Sequence, residues 1–159
     1  MTITYEPIGI IHSPFTEPAE MPIQPKGASG VLGHIDILPQ FSDGLADLEG
    51  FSHIILLYHF HRVAGKRLRV TPFLDSTERG IFATRAPVRP NPIGISVVEL
   101  QRIQGTRLSI ANVDILDETP LLDIKPYVPE FDQFPVTRTG WLQQTAANVL
   151  HQTSDNRFK

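Results

Sequence analysis

Seven short runs of β-forming residues, set 8–15 residues apart and broken by proline or glycine, leave this chain few folds to choose from. Ile8–His12 ends at Ser13-Pro14. Val31–Leu38 alternates, with Val31, Gly33, Ile35 and Ile37 on one face and Leu32, His34, Asp36 and Leu38 on the other. Phe51–Arg62 reads FSHIILLYHFHR, and its near-continuous apolar content predicts a central strand buried on both faces. Arg67–Thr71, Gly80–Thr84, Ile93–Leu100 and Arg107–Asp114 complete the set, with Gly105-Thr106 suited to a hairpin turn between the last two. The proline-rich segment that contains Pro14, Pro18, Pro22 and Pro25 is unsuited to a ladder interior.

Only two segments read as helical. One is a single turn within Phe41–Gly50, capped by Ser42 or Asp43 and stopped by Gly50. The other is a C-terminal helix around residues 140–151, where Trp141, Leu142, Thr145, Ala146, Val149 and Leu150 share a face. The pattern predicts an all-β fold, a mainly antiparallel β-barrel or compact sandwich with a short helix and a C-terminal helix. No repeat or linker divides the chain, so residues 1–159 read as one domain with its core over 8–132.

Composition narrows the class. Apolar residues at 41% and charged residues at 19% suit a globular domain. No apolar run nears the roughly 20 residues that span a bilayer, and the first residues lack the basic head and apolar stretch of a secretory signal. Without cysteine there is neither a disulfide framework nor a thiolate metal site, so a cytoplasmic protein is expected. The net charge of -3 conceals a local excess. Residues 61–89 hold Arg62, Lys66, Arg67, Arg69, Arg79, Arg85 and Arg89 against Asp75 and Glu78, seven basic to two acidic. Such a run is either a solvated face or a site for a carboxylate, phosphate or RNA backbone.

Four segments carry candidate chemistry. In ATRAPVRPNPIGIS, residues 83–96, Pro87, Pro90 and Pro92 hold their predecessors extended, so that Arg85, Arg89 and Asn91 project from a backbone with little entropy left to lose. Gly94 then permits a close approach to the backbone. In DILDETPLLDIKPY, residues 114–127, Asp123, Lys125 and Tyr127 share a face if the chain is extended, and they either orient and deprotonate a nucleophile or form an ion pair at a strand end. His59 and His61 are spaced to hold a metal with His34 or His53, although an isolated pair on a strand more often packs and hydrogen-bonds. MPIQPKG, residues 21–27, sets Gln24 between prolines and alone reads as a linker. No GxGxxG or Walker motif is present, so a nucleotide-like cofactor would need another cradle.

Taken together, GIFATRAPVRPNPIGISVVEL, DILDETPLLDIKPYVP, GFSHIILLYHFH and the Pro-x-Gln of MPIQP resemble, in order and spacing from Ile8 to Asp132, the TrmO family, also called TsaA-like or YaeB-like. The resemblance implies a β-barrel S-adenosylmethionine-dependent methyltransferase, working as a homodimer. Its expected substrate is the exocyclic amino group of threonylcarbamoyl-modified adenosine beside the anticodon, in tRNAs that read threonine codons. By matching position, the cofactor is expected to meet Pro22, Ile23 and Gln24, then His61 and Arg62, Arg85 and Ile95, and the turn Asp114, Ile115, Leu116 and Asp117. Asn91, Asp123, Lys125 and Tyr127 are the expected catalytic residues, with Asp123 or the Asn91 carbonyl as the hydrogen-bond acceptor that helps pyramidalise the adenine amino group, and Lys125 and Tyr127 positioning substrate. Arg67, Arg69 and Arg89 are expected to meet tRNA phosphates, and neither metal nor membrane is expected. The chain departs from the family at Glu118, where Asp-Gly-Thr-Pro is usual and glycine would admit a positive φ or close cofactor approach. Longer members also carry a further C-terminal domain.

Overall fold

Alternation along each strand decides which side chains go inside. The computed structural model describes residues 1–22, 25–73 and 75–144. Six strands pair antiparallel into one closed ring: β1 (Gly9–His12), β2 (Leu32–Ile37), β3 (His53–His59), β6 (Ile93–Gln104), β7 (Arg107–Ala111) and β8 (Thr119–Pro126), in the order β1-β2-β7-β6-β3-β8. Two short strands, β4 (Arg69–Val70) and β5 (Arg79–Gly80), form a separate ribbon. The inward residues Ile11, Ile35, Ile37, Ile54, Leu56, Tyr58, Val98, Leu100, Leu108, Ile110 and Leu121 fill the barrel with Val113 and Ile115. Each fully buried Leu or Ile stabilises by about 1.5–3 kcal/mol, and closing the ring leaves the barrel without an open edge.

The structure departs from the sequence reading in several places. β3 is paired on both sides, but only Ile54, Leu56 and Tyr58 are buried, while His53, Ile55, Leu57 and His59 are half-buried on the outside. Its continuous apolar content arises because the outer wall is apolar too: Ile93 and Ile95 beside it are 38% and 49% exposed. β8 is a strand beyond the seven expected from the sequence; its Pro120 and Pro126 fall near its two ends. The helical turn in Phe41–Gly50 is instead two 3₁₀ segments, Pro39–Leu45 and Leu48–Gly50, with no side-chain cap on either and Asp47 between them at a φ of 66°. Near the C-terminus, Gly140–Gln144 is 3₁₀, and residues 145–151 of the expected helix lie outside the described residues.

Strand direction places the connections. β1, β3 and β7 run the same way round the ring, so the segments that follow them (13–31, 60–92 and 112–118) emerge at one rim. The tight Gly105-Thr106 turn and the 38–52 connection lie at the opposite rim. Segment 60–92 folds as a flap with a small core of Val70, Ile81, Ala86 and Val88, against which Val63 and Phe73 pack.

Candidate functional site

At the shared rim, hydrogen bonds knit the three long connections together. Asp117, on the turn between β7 and β8, donates its N–H to Phe15 O and accepts from Ser13 N–H at 3.1 Å. Since a carboxylate only accepts, His12 Nδ1 is the donor in its 3.1 Å contact with Asp117 Oδ1. Burial works against the Asp117 charge, but the Ser13 N–H and His12 outweigh it and hold its pKa below the usual carboxylate value. Ser13 Oγ donates to Ile115 O at 2.5 Å. Glu118 takes a φ of 60°, the conformation that a family glycine would favour.

The end of β3 joins the same turn. Thr119 Oγ1 donates to Leu116 O at 2.7 Å, so it accepts from His61 Nδ1 at 3.3 Å. Desolvation, followed by the Arg62 charge, lowers the His61 pKa. The neutral ring therefore keeps Nε2 as an acceptor. Arg62 donates to Thr16 O at 2.6 Å and pairs with Glu17 at 3.4 Å. Beside this loop a hollow of about 320 Å³ is lined by Pro14, Phe15, Thr16, Glu17 and Ala19.

A buried relay sits beneath. Ser96 Oγ donates to Asp114 Oδ1 at 2.6 Å, so the Tyr58 hydroxyl donates to Ser96 Oγ at 3.0 Å. Asp114 is 7% exposed, and burial pushes its pKa up to about 6 against the opposing Ser96 hydrogen bond and Arg85 charge. Burial also raises the Tyr58 pKa, so the phenol stays protonated. Gly94 makes room for this arrangement, because a Cβ there would overlap the rings of Tyr58 and Phe60.

The rim thus brings together His61, Arg62, Arg85, Asn91, Asp114, Leu116 and Asp117, with Pro22 on the first of its connections. Ile95 stands two residues inside it on the outer wall, and the side chain of Ile115 is buried, leaving its backbone to the site. Ile23 and Gln24 lie outside the described residues. The other expected catalytic residues lie further off. Asp123 pairs with Leu57 and Lys125 with Ile55 along β8, and the Tyr127 N–H bonds His53 O at the far end. Eight residues of strand separate Thr119 from Tyr127, about 26 Å. Within one chain Asp123 and Lys125 form an ion pair at 2.8 Å, and Tyr127 packs edge-on to His53.

The basic run is largely engaged. Arg69 pairs with Glu78 and Arg79 with Asp75. Arg89 turns inward and donates from Nη1 to Thr84 O and Ala86 O, each at 3.1 Å, which staples the proline-rich loop. Arg69 is exposed but paired with Glu78 and Arg89 is turned onto its own loop, whereas Lys66 and Arg67 are exposed. His59 and His61 do not converge with His34 or His53. β2 lies across the ring from β3, and His53 starts the strand that His59 ends. Sequence reasoning missed His12, Ser13, Tyr58, Ser96 and Thr119, whose roles depend on strand pairing; the alternation in β1 and β3 was the available signal.

Residues 10–133 match the family described as tRNA-methyltransferase O N-terminal domain. A Pyrococcus abyssi protein named a probable S-adenosyl-L-methionine-binding protein is 55% identical over 99% of this chain and 86% of its own length. The Escherichia coli tRNA (adenine(37)-N6)-methyltransferase is 35% identical, covering 90% of this chain and 65% of its own. A crystal structure of TrmO from Pseudomonas aeruginosa aligns with a TM-score of 0.74 at 41% identity, covering 89% of this chain and 63% of that one. The chain thus spans a little under two thirds of the length of these last two relatives. Sharing their barrel, and matching the N-terminal domain over most of its length, the chain belongs to the TrmO family.

Proposed function

We propose that this chain is an S-adenosylmethionine-dependent methyltransferase that modifies the exocyclic amino group of threonylcarbamoyl-modified adenosine beside the tRNA anticodon. One observation carries the reading: three connections that are far apart in sequence meet at one rim and carry eight of the eleven expected cofactor residues, Pro22, His61, Arg62, Arg85 and Asp114–Asp117. The residues present suit the cofactor. Asp114 is a buried carboxylate with its pKa raised, a place where an added cation is favourable, and Asp117 lies three residues away on the same turn. Arg85 suits the cofactor carboxylate, and exposed Ile95 offers an apolar surface to the adenine. When bound, the cofactor supplies an electrophilic methyl group.

The chain's own residues align the acceptor and exclude water, which is where most of the acceleration of an in-line transfer lies. Asn91 at the rim, or His61 Nε2 beside it, can accept a hydrogen bond from the adenine amino group. Asp123, Lys125 and Tyr127 reach a rim site only when a second copy brings its β8 wall to it, so a homodimer is part of the proposal. The proposed location is the cytoplasm; no described helix is long and apolar enough to cross a membrane.

A binding protein without turnover is the second reading. It is favoured by the Pyrococcus relative, of which this chain covers 86% and whose name states binding alone. The deciding experiment incubates the purified chain with the cofactor and threonine tRNA that carries the unmethylated modification, then digests the tRNA for mass spectrometry. One added methyl group on the modified nucleoside is expected. Saturable cofactor binding without that gain would leave the second reading standing, and methylation of another RNA or a small amine would redirect the first.

A further inference from the structure

We propose that His12, His34 and Asp36 form a binding site for a divalent transition-metal ion on the outer wall of the barrel. The register puts the three side chains together. His12 on β1 lies opposite His34 on β2, and Asp36 follows His34 by two residues, on the same face. Ile11, Ile35 and Ile37 point into the core, so these three point out. The imidazole rings stack with centroids 4.8 Å apart and planes 24° apart. His12 Nε2 lies 3.8 Å from Asp36 Oδ2, and His34 Nε2 lies 3.7 Å from the same oxygen. Both distances are too long for a hydrogen bond. They approach the separation of about 3.4 Å between two ligands that each sit about 2.1 Å from one tetrahedral ion. All three candidate ligand atoms fall within 4.8 Å of one another.

The surroundings hold these groups in place. His12 gives its other nitrogen to Asp117, an arrangement that fixes the tautomer and directs Nε2 to a metal. Arg107 grips Asp36 through Nε and Nη2 at 2.6 and 2.8 Å, which fixes the carboxylate. The formal charge of Asp36, Asp117 and Arg107 together is negative by one, which favours a cation. Side-chain exposures of 31–39% leave the cluster open on one side, so an ion can enter and keep solvent ligands. Two imidazoles and one carboxylate suit Zn²⁺, Co²⁺, Ni²⁺ or Fe²⁺ and not Mg²⁺ or Ca²⁺. An ion here ties β1 to β2 and, through His12 and Asp117, steadies the rim turn. The sequence pairs His34 with His59 and His61 rather than with His12 and Asp36, because 21 residues separate His12 from His34 and only strand pairing brings them together.

The test uses the full chain without a histidine tag, stripped with a chelator. Zn²⁺ is titrated by calorimetry, and Co²⁺ by its visible absorption. One ion per chain is expected, with visible Co²⁺ bands and a higher melting temperature. His34→Gln and Asp36→Asn should each weaken binding at least tenfold, His53→Gln and His59→Gln should bind as the parent does, and Mg²⁺ should give no heat. Circular dichroism of the metal-free variants checks their fold. Absence of saturable Zn²⁺ binding by the parent at tens of micromolar overturns the proposal without any variant, and so does unchanged affinity in folded His34→Gln.

Discussion

Glu118 and Asp114 are single residues whose discomfort can be measured. Glu118 holds a φ of 60°, which costs a non-glycine residue about 1–2 kcal/mol. Its exposed side chain makes no hydrogen bond or ion pair among the described residues, so replacing it loses little. Glu118→Gly should therefore stabilise by about 1 kcal/mol after the extra entropy of the unfolded glycine chain, a rise of about 2–4 °C in melting temperature. A fall in melting temperature would mean that the side chain supports the turn. At Asp114 the sign runs the other way from most carboxylates. Its folded pKa of about 6 exceeds the ordinary value of 3.8. The stability that this shift contributes is complete below pH 3.8 and is lost as pH rises through 6. Asp114→Asn, which never ionises, should match the parent near pH 4 and exceed it at pH 8 by up to about 3 kcal/mol, less whatever Arg85 loses. Denaturant midpoints across that pH range check it. On the proposed function the same variant binds S-adenosylmethionine more weakly at pH 8, which trades activity for stability.

At the scale of elements, the pairing of β3 with β6 depends on a missing side chain. Tyr58 lies opposite Gly94, and a methyl group there would overlap two aromatic rings. Gly94→Ala should destabilise by about 1–3 kcal/mol by forcing Tyr58 off its rotamer, read as a lower denaturant midpoint with lost near-ultraviolet signal from tyrosine. An unchanged midpoint would show that the rings move aside freely. This glycine also shows how far the sequence could be read. PNPIG announced a close approach, but which rings approach is settled by register, and register links residues that are 36 positions apart. β1, β2, β6 and β7 were legible from alternation and turn residues. β8 was not, because its prolines fall at positions where the ladder tolerates them, and that is visible only once the neighbours are known. The candidate site was legible as segments and not as a surface. Asp114–Asp117 and His61–Arg62 converge because three parallel-running strands end together, whereas Asp123–Tyr127 depart because β8 carries them down the wall.

For the whole molecule the question is how a chain of net charge -3 meets an RNA. A long-range field cannot attract it, so binding must rest on a local patch. The seven basic residues of 61–89 suggest a steep salt dependence, yet the structure commits most of them elsewhere. Arg62, Arg69 and Arg79 sit beside carboxylates, and Arg89 holds carbonyls of its own loop. A surface pair contributes only about 0–1 kcal/mol, so Arg69 can exchange Glu78 for a phosphate, but with little net gain. Lys66 and Arg67 are exposed on the same flap and carry the part of the charge that binding can use. If the proposed tRNA substrate docks on this flap, the slope of log affinity against log salt should be shallow, and Lys66→Gln with Arg67→Gln should reduce it by about 1.4–1.8. Arg89→Met should leave the slope unchanged while it loosens the flap, lowering the melting temperature and increasing proteolysis within 60–92. Filter binding of threonine tRNA between 50 and 200 mM salt distinguishes the two effects. A slope that falls equally for Arg89→Met would mean that the inward fork opens on contact with RNA, and that the staple is part of the docking surface.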